Sequence, residues 1–399
     1  MADVVRLFGG ELSGSRPLAK HARKALADIA ACRTSLLGGH VDACDGCGSL
    51  RISYNRCGNR HCGKCQGLDR EAWVLGREQE LLPVVYYHVV FTVPAELDGL
   101  FLLNPRTLYG LLFAASWETL QVFARGPKHL GAETGATMVL HTWGQVLCLH
   151  PHVHAIVPGG GLTAEGRWQK ARSRSDGFLF PVKAMSKVFR AVLLKKVLAY
   201  LEGGALVLPA GPHFQTEKAY RDWRKALYRK PWAVYAKRPF GGPKQVLEYL
   251  GRYTHKVAVS NHRILGVSAD KGVRFAYKDY RAGGKKKEMV LAGVEFLRRF
   301  TLHILPSGFR RIRHYGILGN HHKKVALAAI RADLEPGRPP PEKKDRKQLR
   351  AEALSHIFKG ADPDLCPCCR AGKMQRIGMV PRQREPPAGV MPDWYVPHL

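Results

Sequence analysis

Hydrophobic and polar positions along the chain alternate between helical and strand periodicities as far as about residue 330. Residues 16–37, RPLAKHARKALADIAACRTSLL, have helical composition and stop before Gly38-Gly39. A further helix is predicted over 69–82. The longest apolar run, Leu81 to Val93 (LLPVVYYHVVFTV), carries Pro83, two tyrosines and a histidine. It is too short to span a bilayer and reads as a buried strand over 84–93. Then follow a helix over 107–124, strands over 136–148 and 152–158, and helices over 184–202, 216–228 and 243–256. Segments 272–280 and 287–292 form a hairpin around Ala282-Gly283-Gly284, and 293–305 is again helical. After about residue 330 the text turns Pro- and charge-rich (GRPPPEKKDRK) and reads as a linker. The mixture predicts an α+β protein around an antiparallel sheet. Three regions follow: an N-terminal helix with a cysteine-rich module (1–68), a core (69–320), and a basic Pro-rich linker with a C-x2-C tail (321–399).

Composition adds a partner class. Lys plus Arg number 63 against 32 Asp plus Glu, a net charge of +31. Such an excess suits a polyanion, nucleic acid first, and disfavours an ordinary small-metabolite enzyme. The charge is uneven: −3 over 69–160, +14 over 161–260 and +11 over 298–399. The N-terminus, MADVVRLFGGELSGS, lacks the apolar centre of a signal peptide, so a cytoplasmic protein without membrane partners is expected.

In that compartment cysteines point to metal rather than to disulfides. Cys44/Cys47 and Cys62/Cys65 are two C-x2-C pairs separated by fourteen residues, a spacing that lets four thiolates converge on one structural Zn²⁺. Cys57 and His61 are extra ligand candidates, either replacing a member of the quartet or helping to form a second site, and His40 is a weaker one. The later pair Cys366/Cys369 cannot complete a tetrahedron alone; it borrows Cys57 and His61, or binds nothing. Cys148, in an apolar stretch, reads as a core thiol.

The densest chemistry lies in VLHTWGQVLCLHPHVHAIVPGGG, residues 139–161. On a strand, His152 and His154 project from one face. Two adjacent imidazoles there suit a metal. His141 reaches the same face from the neighbouring strand, with Gln145 and His150 as alternatives for the third ligand. Pro158-Gly159-Gly160-Gly161 reads as a flexible turn. In EYLGRYTHK, Tyr249 and Tyr253 lie four apart and share a helix face among Arg252, His255 and Lys256. A phenol oxygen is a candidate covalent nucleophile if neighbours help it to ionise. There is no G-x-x-x-x-G-K-[ST] loop, so no nucleotide cofactor is expected. In FLRRF…GFRRIRHYG, Arg298, Arg299, Arg310, Arg311, Arg313 and His314 supply contacts for phosphates, as do Arg252 and Lys256 beside the tyrosines, with interleaved aromatics for unpaired bases.

Together His152-Val153-His154, the zinc module from His40 to Gln66, YLGRYTHKVAVSN and FLRRFTLHILPSGFRRIRHYGIL resemble the HUH endonucleases. Within that class they are similar to the two-tyrosine rolling-circle transposases of the insertion-sequence ninety-one family, over roughly residues 20–320. The resemblance implies an HUH core with a central antiparallel sheet flanked by helices. It implies nicking and rejoining of single-stranded DNA at element ends through a 5′-phosphotyrosine. Tyr249 and Tyr253 would be the nucleophiles, and His152, His154 and a third ligand, His141, would hold Mg²⁺ or Mn²⁺. Target DNA, host replication proteins and a place at the nucleoid come with it. A plasmid replication initiator or relaxase with the same chemistry, and a non-catalytic zinc-dependent DNA-binding protein, are the competing readings.

Overall fold

The chain begins with two packed helices, α1 (Ala2–Ser15) and α2 (Lys20–Ala31), followed by strands β1 (Gly39–Cys44) and β2 (Leu50–Tyr54) and helix α3 (Gln66–Glu78). The core starts with β3 (Tyr86–Thr92), α4 (Asp98–Leu103), α5 (Pro105–Arg125), β4 (Gly135–Trp143), β5 (Leu149–Pro158), β6 (Gly160–Leu162) and β7 (Trp168–Lys170). It continues with α6 (Val182–Glu202), α7 (Glu217–Arg229), β8 (Val234–Lys237), β9 (Ile264–Ser268), β10 (Gly272–Asp279) and β11 (Lys285–Leu291). Last come α8 (Gly293–Thr301), β12 (Ile312–Gly316), α9 (Lys323–Leu334), α10 (Arg346–Ile357) and β13 (Met374–Val380). This computed structural model describes residues 1–172, 177–237, 245–246, 249, 251 and 258–383. Of the helix expected over 243–256, the described residues 245–246, 249 and 251 are helical; the others lie outside the described set.

The central sheet has the order β12-β4-β5-β3-β8, antiparallel at each pairing. Side chains alternate across it. Val89, Phe91, Met138, Leu140, Val153, Ala155 and Val157 form one face and pack with buried residues of α5 and α6 in the main core. The opposite face is set by the register: His141 pairs with His152, Val139 with His154, and His88 with Ile156. One face is thus an apolar floor that fixes the strands, and the other concentrates imidazoles.

The N-terminal module is not an isolated bead. Val4, Val5, Phe8 and Leu12 of α1 share a core with Phe296, Leu297 and Phe300 of α8 and with Val273 and Phe275 of β10. Sequence reasoning gave α1 no place, because Gly9, Gly10 and Gly14 each lower helix propensity by about 1 kcal/mol relative to Ala; this tertiary burial offsets that loss. Arg60 adds a polar tie. Its guanidinium donates to the carbonyls of Phe309 (2.6 Å), Pro306 (2.7 Å) and Leu305 (3.2 Å), in the loop that leads to β12. Arg60→Ala removes a charge-assisted set; the Pro306 carbonyl keeps the Phe309 N–H at 3.1 Å, while the Leu305 and Phe309 carbonyls lose their guanidinium donor, so a loss of about 3 kcal/mol is expected, read as a lower urea midpoint.

Several expectations change. The strand over 136–148 ends at Trp143, where Leu147 takes a left-handed φ of 60° and Gly144 N–H bonds the Cys148 carbonyl at 2.9 Å in a turn. Cys148 is exposed rather than a core thiol. The Pro-Gly-Gly-Gly run is not a flexible turn. Gly160 and Gly161 pair with β7, and a Cβ on Gly160 would lie 2.4 Å from the Trp168 ring. The Arg-rich segment forms the edge strand β12. The stretch read as linker and tail folds. Asp345 and Gln348 make a capping box that starts α10 directly after the prolines, and β13 pairs antiparallel with β1. Among the described residues no helix is long and apolar enough to cross a membrane.

Candidate active site and metal centres

On the face of the sheet opposite the apolar floor, one nitrogen from each of His141, His152 and His154 lies within 4.8 Å of the other two. His141 and His154 are buried and His152 is half-buried. The ring of His141 stacks on Trp143 at 4.5 Å. His152 Nδ1 is 2.6 Å from the His150 carbonyl, and His154 Nδ1 is 2.9 Å from His88 Nε2. Nδ1 of both is therefore engaged by a neighbour, and Nε2 is the atom each can turn to a cation, the arrangement in which outer bonds orient metal-binding imidazoles. Three imidazole nitrogens gathered this closely fit a divalent ion. His150 supplies a carbonyl rather than a third ligand, and Gln145 serves the neighbouring hairpin by accepting from Lys278 N–H at 3.4 Å.

Tyr249 meets this cluster through a residue that sequence reasoning passed over. Its hydroxyl lies 3.0 Å from Nδ1 and 2.9 Å from Nε2 of His88. Tyr249 packs, as Trp73 and Leu81 do, against the buried cluster of Tyr86, Ile156 and Val246. A Cβ on Gly251 would sit 2.9 Å from Val74 of α3, so only glycine lets the tyrosine segment approach that helix so closely. Burial, with smaller contributions from Lys237 and His152, pulls His88 down to about 3, and the ring is neutral at pH 7. The signal was available: His88 stands in the most apolar run of the chain, in phase with Tyr86. Tyr253, Arg252 and Lys256 lie outside the described residues.

The cysteines sort differently from the expected quartet of Cys44, Cys47, Cys62 and Cys65, which the fold does not bring together. Cys32, Cys57, Cys62 and Cys65 form one cluster and Cys44, Cys47, Cys366 and Cys369 another. In the first, sulfurs stand 3.5 Å (Cys32–Cys65) and 3.6 Å (Cys57–Cys65, Cys62–Cys32) apart. A tetrahedron with Zn–S bonds of about 2.3 Å has edges of about 3.8 Å, so four thiolates at this spacing fit Zn²⁺. Cys32, at the end of α2, was missed because it has no C-x2-C partner of its own. His61 belongs to neither cluster. It is buried, and burial pulls it down to about 3.

The expected phosphate contacts divide in two. Arg298 and Arg299 bond Glu295 at 2.8 and 2.7 Å, and Arg299 also donates to the Val146 carbonyl at 3.1 Å, so both are engaged inside the protein. Arg311 lies deep beside Arg60, and burial lowers it to about 10. By contrast, Arg310, Arg313 and His314 line an open cleft of about 1110 Å³ on the β12 edge, together with Arg106 and Arg125. Its floor is aromatic. Trp117 stacks on Tyr315 with ring centroids 5.4 Å apart, and the Arg313 guanidinium lies 5.2 Å from the Phe309 ring centroid. Cations over rings suit a chain of phosphates and bases.

Comparison with known proteins completes the picture. A family model described as "Putative transposase" matches residues 135–325, and another, "Transposase zinc-binding domain", matches residues 5–93. The chain is 42% identical to "Putative transposase y4qJ" of Sinorhizobium fredii over 97% of both chains. It is 29% identical to "Transposase for insertion sequence element IS801" of Pseudomonas savastanoi pv. phaseolicola, over 86% of this chain and 80% of that one. A solved structure, that of TrwC complexed with a 27-mer DNA comprising the recognition hairpin and the cleavage site, covers 69% of this chain and 74% of its own at 13% identity, with a TM-score of 0.24.

Proposed function

Since the chain belongs to the IS91 family of insertion-sequence transposases, we propose that it cuts and rejoins single-stranded DNA at element ends, with Tyr249 as the nucleophile. The observation that carries this is the Tyr249 hydroxyl 3.0 Å from His88, itself 2.9 Å from His154 in the three-histidine cluster.

The residues act as follows. Tyr249 Oη gives up its proton to solvent and attacks the scissile phosphorus, the P–O3′ bond breaks, and the departing O3′ takes a proton from solvent to end as a 3′ hydroxyl. The phosphate stays on the tyrosine as a 5′ phosphodiester, so rejoining needs no external energy source. His141, His152 and His154 would hold Mg²⁺ or Mn²⁺, which when bound offsets the charge developing on the phosphate oxygens. With Nε2 of His154 turned to the cation, its Nδ1 carries the proton and donates to His88 Nε2. His88 then keeps its own proton on Nδ1, 3.0 Å from Tyr249 Oη. A neutral imidazole donating to the phenol oxygen orients it and favours its ionised form. His88 is in this sense a positioning residue. His88→Phe keeps the ring and loses both bonds, and adduct formation is expected to fall about 10- to 100-fold with oligonucleotide binding unchanged. His88→Gln, which retains a donor, recovers part of the loss, whereas equal activity of the Phe variant and the wild type would exclude the relay.

Tyr253 is the proposed second nucleophile, for transfer to target DNA, on the sequence pattern alone. The cleft carrying Arg106, Arg310 and Arg313 is the proposed track for the unpaired strand. Incubation with oligonucleotides from both element ends and Mg²⁺ or Mn²⁺ tests the proposal: a protein–DNA adduct and a free 3′ hydroxyl are expected. Binding without any adduct at either end would leave a DNA-binding protein without this chemistry.

A further inference from the structure

We propose that Cys44, Cys47, Cys366 and Cys369 bind a second zinc ion, and that this ion clasps the C-terminal arm of the chain to its N-terminal module. The four sulfurs come from opposite ends of the sequence. Cys44 stands 3.7 Å from Cys369, and Cys47 stands 3.8 Å from Cys366. These are the edges of a tetrahedron with Zn–S bonds of about 2.3 Å. The matched zinc-binding domain ends at residue 93, well short of two of these ligands.

Three further features point to a thiolate–metal site. Backbone amides converge on the sulfurs, Gly46 and Cys47 N–H on Cys44, Cys368 N–H on Cys366 and Gly372 N–H on Cys369, each at 3.4 Å. Such nests of N–H groups stabilise bound anionic ligands. The two knuckles also interlock: Lys373 N–H bonds Asp45 Oδ1 at 2.7 Å, and Asp45 N–H bonds the Lys373 carbonyl at 3.1 Å. A Cβ on Gly372 would stand 2.6 Å from both Cys44 Sγ and Asp45 Oδ1, so glycine alone permits this approach. Third, little else holds the arm here. The buried apolar cluster under the β13–β1 pairing consists of Cys44, Cys366 and Met374. On β13, Ile377 and Met379 are 62% and 69% exposed. A three-stranded sheet with so small a core is marginal by itself, whereas a structural zinc supplies folding free energy outright. A closed all-cysteine site leaves no position for substrate, so its role is to join parts.

What it joins matters for the tyrosine. The arm carries α10, which packs on α3 through Leu349 beside Gly76 and through Arg350–Asp69 and His356–Glu71 pairs at 3.3 Å. Helix α3 in turn presents Trp73 to the Tyr249 cluster. The clasp therefore braces a helix that packs on the same apolar cluster as the nucleophile.

The count of metal ions decides the matter independently of any DNA chemistry. Elemental analysis of the full chain should give two zinc ions per molecule, falling to one in C366S/C369S and staying at two in C368S, whose sulfur is exposed outside the cluster. Mercurial titration of the wild type, releasing zinc into an indicator dye, should yield two equivalents and needs no variant to fold. Trypsin should cut between α9 and α10 at least about tenfold faster in C366S/C369S, because loss of the clasp opens the arm locally. One equivalent in the wild type, or two retained in C366S/C369S, would overturn the second site. One zinc lost with trypsin sensitivity unchanged would overturn the clasp.

Discussion

Tyr249→Phe is expected to eliminate the covalent protein–DNA species, with first-strand cleavage falling by at least about 10³-fold. The substitution removes one oxygen and leaves the ring against the cluster of Tyr86, Ile156 and Val246, so the fold and the packing on the sheet remain. What disappears is the atom proposed to make the bond to phosphorus. Binding of the oligonucleotide, which we propose the arginines of the β12 cleft carry, should be unchanged within about twofold, since phosphate contacts and base stacking dominate such affinity. Gel shift and adduct yield measured on one preparation separate the two effects. A Tyr249→Phe protein that still forms the adduct at the wild-type rate would move the nucleophile elsewhere.

Cys62→Ser should unfold the N-terminal half. Cys32, Cys62 and Cys65 are nearly solvent-free, in a core shared with Leu26, Ile29 and Phe300. Removing one thiolate loses the metal and leaves the remaining sulfurs crowded in an apolar setting. A structural zinc contributes on the order of 10 kcal/mol, comparable to the whole stability of a domain. Expected readings are insoluble protein or a non-cooperative urea transition, with the zinc content of any soluble fraction reduced. Arg60 stands between Cys57 and Cys62 and anchors the 305–309 loop, so the damage should extend to β12 and weaken DNA binding as well. A soluble variant with an unaltered midpoint would show that this cluster is not a folding centre.

Local periodicity carried much of this architecture. The two-residue repeat of H-V-H puts His152 and His154 on one face whatever surrounds them, and the apolar floor beneath them reads as alternating β4 and β5 positions. Pairing across distance is another matter. Nothing local says that Cys366 meets Cys47, or that Cys32 replaces Cys44 beside Cys62; both follow from β13 returning to β1 and from α2 ending over the Cys57–Cys65 loop. His88 was hidden for a related reason. A single histidine in an apolar strand gains chemical meaning only once the register places it beside His154. The arginines show a third limit, because composition counts charges but not their partners: Glu295 takes up Arg298 and Arg299, while Arg310 and Arg313 remain on the cleft.

The central claim, that Tyr249 makes the covalent bond to DNA, is tested most directly by mapping the adduct. Wild-type protein is incubated with element-end single strands and Mn²⁺, digested with nuclease and trypsin, and read by mass spectrometry. A nucleotide phosphate on the peptide containing Tyr249, localised to that tyrosine in the first-strand product, is the predicted result. Cleaved DNA bearing a free 5′ phosphate with no modified peptide, or a first-strand adduct on any other residue, would contradict it.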